Sequence, residues 1–173
     1  KQGIQDVTLL VCNTDKMSLD GSSVPNKLSI GNGLGVGGKP GLAKQYAEED
    51  REKIREALND GTKMLFITAG MGGGTGTGAS PIVAEIAKEM GILTVGIVTV
   101  PFAFEGPKKI QKAMDGVAAL AEHVDAIVVI NNEKLRQIYA DFNLLNAFAK
   151  SDDVVANAAR SIAEIITKPG YIN

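Results

Sequence analysis

Four stretches of the chain, residues 6–12, 64–68, 93–100 and 126–130, are apolar at nearly every position. Runs this short with no polar alternation predict strands covered on both faces, as in a parallel sheet. A shorter candidate strand lies at 27–30. Between the strands, apolar positions recur at helical spacing. Residues 41–60 set Ala43, Ala47, Ile54, Ala57 and Leu58 on one face and leave Glu48, Glu49, Arg51, Glu52, Lys53 and Arg55 on a solvated one, with Gly61 closing the helix. Ser80 as cap and Pro81 in the first turn predict a helix over 81–90 that buries Ile82, Val83, Ile86 and Met90. Residues 108–124 carry Ile110, Ala113, Val117, Leu120 and Ala121 in the same way. A short helix at 133–139 and a helical turn at 143–150 follow. A last helix opens on Ser151, Asp152 and Asp153, acids placed where the helix dipole favours them. It packs Val154, Val155, Ala158, Ile162, Ile165 and Ile166 and stops before Pro169. Residues 1–4 read as the end of a helix. Strands alternating with helices predict an α/β domain: a doubly wound, mostly parallel sheet with helices on both faces.

The polar turns fall at the carboxyl ends of these strands, the edge where open α/β sheets hold ligands. Residues 69–78 stand out, with five glycines in the seven positions 72–78. Glycine lets the backbone reach φ > 0 and approach a ligand closely. A glycine loop between a strand and a helix start aims free N–H groups and the positive dipole end at one spot, which suits phosphate. The alternative is a flexible linker, though linkers rarely join a strong strand to a capped helix. Residues 33–38 literally match GxGxxG. That fingerprint requires an acid at the end of the next strand to hold ribose. Here the next strand runs into Ala69 and the second glycine loop, so 33–38 reads as another phosphate-facing turn. A dinucleotide-dependent oxidoreductase is disfavoured on the same ground.

Composition narrows the classes. The 173 residues suffice for one domain with a core, and 45% hydrophobic with 22% charged residues is ordinary for a soluble protein. A net charge of −2 offers no footprint for nucleic acid. No apolar run reaches the ~20 residues of a membrane span, which argues against direct membrane insertion. The single cysteine, Cys12, and single histidine, His123, argue against an internal disulfide and a zinc site, so no metal ligands are assigned. Cys12 is expected as a buried core thiol, His123 as a surface or boundary residue, and the location as cytoplasmic. GxxxxGK[ST] does not occur.

Gly72-Gly73-Gly74-Thr75-Gly76-Thr77-Gly78 resembles the signature of the tubulin/FtsZ superfamily, in its bacterial form. Further blocks agree in collinear order over essentially the whole chain: Asn13-Thr14-Asp15, Gly33-Leu34-Gly35-Val36-Gly37, Pro101-Phe102-Ala103-Phe104-Glu105-Gly106, Ile130-Asn131-Asn132-Glu133-Lys134-Leu135, Phe148, Asp152 and Lys168-Pro169-Gly170-Tyr171-Ile172-Asn173. The resemblance implies a GTP-dependent protein that assembles head to tail into protofilaments of the cytokinetic ring, with GTP or GDP and Mg2+ as cofactors. Its partners would be further copies of itself, division-ring proteins and membrane tethers. It implies that Gly72, Gly73, Gly74, Gly76 and Gly78 cradle phosphates through their amides, with the Thr75 and Thr77 side chains. Val36 and Gly37 would close over the γ-phosphate, and Asn13 and Asp15 would lie beside the nucleotide near magnesium. Pro101 would stand at the site, Glu105 would accept from ribose hydroxyls, and Lys109 would reach phosphates and ribose. Asn132 would contact guanine, Phe148 would stack on it, and Asp152 would accept from guanine N1–H and N2–H2. Phe148 as plain core and Asp152 as a plain helix cap are the alternatives.

The resemblance also sets expectations about extent. A first strand with its own glycine loop would precede Lys1. An acidic loop that positions the attacking water would follow Asn173, so no catalytic residue is assigned within the chain. Residues 1–173 would be the core of the GTP-binding domain, lacking its first strand. Lys109 stands where the family usually has arginine, Asn131 where it has proline, and the segment before Gly33 is shortened. A scaffold of the same fold without GTPase activity is the second reading.

Overall fold

The computed structural model describes residues 7–139 and 144–167. Two parallel ladders organise it. Strand β1 (Leu10–Asn13) pairs with β2 (Asn26–Ser29), linked by the short helix α1 (Lys16–Asp20). Strand β4 (Leu93–Val100) lies between β3 (Met64–Gly70) and β5 (Ala126–Asn131). The predicted strands are thus present, but among the described residues they form two sheets where sequence reading expected one. The apolar run 6–12 is also more open than predicted, and only its end forms β1: Val7, Leu9 and Leu10 are exposed.

Helices cover both faces of the three-stranded sheet. Alternation along β3 and β4 sends Ile67, Val98 and Val100 towards α4 (Thr75–Glu89) and α5 (Pro107–Ala121), where they meet Ala84, Ala113 and Leu120. Val95, Ile97 and Ile130 face the other way, onto Ala159 of α7 (Leu144–Thr167). A third cluster joins the small sheet to the helices: Leu28 and Ile30 pack with Ala47 of α2 (Pro40–Glu49), Ile54 and Leu58 of α3 (Arg51–Leu58), and Ile82 and Ile86 of α4. This is the doubly wound α/β arrangement expected. Cys12 packs partly buried against that cluster, where burial pushes its thiol up to about 11.

Three helix boundaries differ from the sequence reading. The helix predicted over 41–60 is two helices, because Asp50 leaves helical geometry (φ −97°, ψ 20°) and its carboxylate accepts from Gly31 N at 2.7 Å. The polar face of α3 is not simply solvated: Arg51 meets Glu48, Glu85 and Glu89, and Arg55 meets Glu89, tying α3 to α4. Helix α4 begins at Thr75 and not at Pro81. Ser80 therefore does not cap; its Oγ donates back to the Gly76 carbonyl at 2.5 Å, and Pro81 lies inside the helix. Finally, α7 is continuous from Leu144, so Ser151, Asp152 and Asp153 are interior to it and Asp152 is no helix cap. The expectations for residues 1–6, 143 and 168–173, and for the packing of Ile165 and Ile166, lie outside the described residues and side chains.

Candidate functional site

The strand register brings the chemistry to one level. Gly70 of β3 lies opposite Thr99 of β4, and Val100 lies opposite Asn131 of β5. The glycine loop, Pro101 and Asn132 therefore leave the sheet side by side.

The glycine loop is shaped by contacts that only glycine permits. Gly72 adopts φ +98°, and a Cβ there would stand 2.7 Å from the Lys109 carbonyl and 2.8 Å from the Pro101 ring. Its amide donates to Thr77 Oγ1 at 2.8 Å, which folds the loop over the start of α4. The first-turn amides of α4, from Thr75, Gly76 and Thr77, have no carbonyl behind them in the helix. Gly73 has open space around its Cα. Gly78 has a different task. Its amide already donates to the Gly74 carbonyl, and a Cβ would come 2.0 Å from the Pro40 carbonyl, so it lets α2 and α4 approach.

The second glycine turn folds onto the first. Gly33, Gly35, Gly37 and Gly38 all have φ between 54° and 79°. Val36 is buried, and its Cγ2 lies 2.3 Å from where a Cβ on Gly74 would be. The turn is stapled to the end of β1: Lys16 N donates to the Gly33 carbonyl and Gly35 N to the Thr14 carbonyl. Fully buried Thr14 adds a link that sequence reading missed, since its Oγ1 lies 2.7 Å from Thr75 Oγ1. Asn13 Oδ1 accepts from Asp15 N at 3.1 Å and from Thr75 Oγ1 at 3.4 Å. Asp15 caps α1. Hydrogen bonds from the Ser18 amide and hydroxyl, and from Met17 N, hold its carboxyl below the usual range.

After β4, Glu105 Oε1 accepts from Phe102 N at 2.9 Å, and Glu105 Oε2 forms an ion pair with Lys109 one helical turn on. The buried Phe102 ring stacks on Phe104 and meets Phe148 of α7 edge-on, both at 5.1 Å between centroids. Phe148 and Phe104 each keep one side exposed. Asn131 caps α6 (Asn132–Ile138) through its side chain, which accounts for an asparagine at that place. Asn132 is 5% exposed, and its Oδ1 accepts from Ser151 Oγ at 2.7 Å. Asp152, the next residue of α7, is exposed. Of the residues predicted for the site, Asn13, Gly72 to Thr77, Pro101, Glu105, Lys109 and Asn132 end or follow strands. Asp15 caps α1, Val36 packs on Gly74 with Gly37 next to it, Phe148 meets Phe102, Asp152 follows Ser151, and Gly78 faces α2. Ser151 was missed; standing next to Asp152 was its one signal.

The model of the Tubulin/FtsZ family GTPase domain matches residues 2–140. The chain belongs to the tubulin/FtsZ family. It is 54% identical to the cell division protein FtsZ of Porphyromonas gingivalis over 175 residues, covering 98% of this chain and 38% of that protein. It is 53% identical to the Pseudomonas putida cell division protein FtsZ over 178 residues, covering 100% of this chain and 44% of that protein. Among solved structures, the empty FtsZ dimer of M. jannaschii superposes with a TM-score of 0.87 at 45% identity, covering 95% of this chain and 49% of that one. The CetZ2 protofilament of Haloferax volcanii, solved with GTPγS, gives 0.74 at 25% identity, covering 91% of this chain and 48% of that one. The chain spans less than half the length of these family members. Among the described residues, no group of three or more acidic, histidine or cysteine side chains could hold a metal ion, and no helix is long and apolar enough to cross a membrane.

Proposed function

We propose that the chain is the guanine-nucleotide-binding core of a division protein that assembles head to tail, binding GTP or GDP with Mg2+ at the strand-end rim. The observation that carries the reading is the meeting of two glycine turns at the start of α4, where Val36 lies on Gly74 and a side chain on Gly72 would strike Pro101 and Lys109. Such a backbone-lined concavity at a helix N-terminus favours phosphate. Gly72, Gly73, Gly74, Thr75, Gly76 and the Thr77 amide would hold the phosphates, with Val36 and Gly37 above them. Asn13 and Asp15 would lie on the magnesium side, and Pro101, Glu105 and Lys109 would flank the ribose. Phe148 would stack on the base, and Asn132 and Asp152 would read its edge. The 45–54% identity to FtsZ proteins and the nucleotide in the CetZ2 protofilament support this. Bound GTP would supply the phosphoanhydride to be cleaved, with the assembly placing it between neighbouring subunits. Self-assembly, division-ring and membrane-tether partners, and a cytoplasmic place at the division site belong to the same proposal.

Calorimetric titration with GDP and with ADP, each with magnesium, tests it. Binding of GDP and not ADP is expected. Equal binding would sink the base assignment, and binding of neither would remove the nucleotide reading for this chain.

A further inference from the structure

The buried hydrogen bond between Asn132 and Ser151 has a consequence for which purine the rim accepts. An asparagine amide has two unlike ends: an oxygen that only accepts and an NH2 that only donates. Rotated by half a turn it presents the opposite chemistry in nearly the same volume, so an unrestrained asparagine discriminates poorly. Here the oxygen is engaged. Ser151 Oγ donates to Asn132 Oδ1 at 2.7 Å, with the two residues 3% and 5% exposed. The amide nitrogen has no acceptor among the described residues. It is also not a buried unpartnered atom, a condition found among the described residues only at Arg160 Nε. It therefore keeps contact with solvent, and α7 brings Phe148, one helical turn before Ser151, and Asp152, directly after it, to the same end of the sheet.

We infer that Ser151 is a specificity-determining positioning residue: by holding the oxygen of Asn132 inward, it presents an N–H donor to the base and selects a purine with a carbonyl at position 6 against one with an amine. Guanine offers an acceptor at O6, whereas adenine offers a donor at N6 and would face donor with donor. Asp152 supplies the complementary acceptor for the neighbouring edge. Ser151 touches no nucleotide in this scheme; it acts through Asn132. The inference rests on the guanine-nucleotide reading above and adds to it a residue to which that reading gives no role.

Calorimetric titrations of Ser151→Ala, Ser151→Thr and wild type with GDP and ADP test it. Ser151→Ala frees the amide to rotate, and the GDP-over-ADP preference is expected to fall about tenfold, the worth of one buried hydrogen bond. Ser151→Thr keeps the hydroxyl and is expected to restore the preference. In an Asn132→Ala background, Ser151→Ala should change the ratio no further. A merely structural Ser151 would lower both affinities together and leave the ratio intact; that result, or a loss of preference that persists without the Asn132 side chain, overturns the assignment. A wild-type chain that binds neither nucleotide overturns the nucleotide reading and this assignment with it. A wild type that prefers GDP beside an unchanged Ser151→Ala ratio overturns this assignment alone.

Discussion

Around Gly74 the second turn closes on bare backbone, with the Gly38 and Lys39 amides and the Val36 methyl standing where a side chain on Gly74 would be. Around Asn132 the contacts run through side chains: Ser151 to Asn132, Phe102 to Phe148, Glu133 to Ala103 N. A phosphate group is symmetric and charged, so amides and a helix dipole serve it without regard to sequence detail. A base edge is a pattern of donors and acceptors, and only oriented side chains can read it. The glycine end is therefore tolerant of what it binds, and the base end is selective.

That contrast can be broken from either side. The largest effect is expected at Phe102, which is fully buried and supports both exposed rings. Phe102→Ala should cost about 3–5 kcal/mol in chemical denaturation. A smaller loss would mean that Phe148 and Phe104 collapse into the space. Next comes Gly78→Ala. It adds a single methyl, yet that methyl would sit 2.0 Å from the Pro40 carbonyl, a backbone atom that cannot rotate away. A loss of about 3 kcal/mol, at the upper end for overpacking, is expected in the urea midpoint. A near-neutral result would show that α2 and α4 slide apart easily. The smallest effect concerns acid. Hydrogen bonding from Arg55, then the charges of Arg51 and Arg55, hold the Glu89 carboxyl below the usual range. A depressed carboxylate stabilises above its unfolded-state value, and that contribution is lost as pH falls through the folded one. Wild type should lose stability between about pH 5 and pH 3 more steeply than Glu89→Gln. Equal slopes would show that the α3–α4 ion pairs are inert.

Much of the frame was legible in sequence because apolar runs and helical spacing report burial directly. The parallel strands and the two glycine turns follow from them. What escaped has a common cause: the effect of a distant partner on local propensity. Thr75 to Ser80 read as loop because glycine disfavours helix, yet contacts with Gly70 and Pro40 keep glycine at 76 and 78 inside one. Ser151 and Asp152 read as a helix start, but the edge contact of Phe148 with Phe102 ties the preceding turn into the same helix. Thr14 and Ser151 carried no signal beyond their neighbours Asn13, Asp15 and Asp152, since a buried hydroxyl is fixed by a residue 61 or 19 positions away.

The raised pKa of Cys12 makes the only thiol of the chain a reporter of its own strand. With a value of about 11, only about one molecule in a thousand carries the reactive thiolate at pH 8 while β1 stays paired with β2. Each opening of that small sheet returns the thiol to its ordinary acidity near 8.5 and exposes it to reagent. Maleimide is therefore expected to label Cys12 more slowly in the folded chain than in urea, so the thiol reports on the strand that carries Asn13 and Thr14 to the rim.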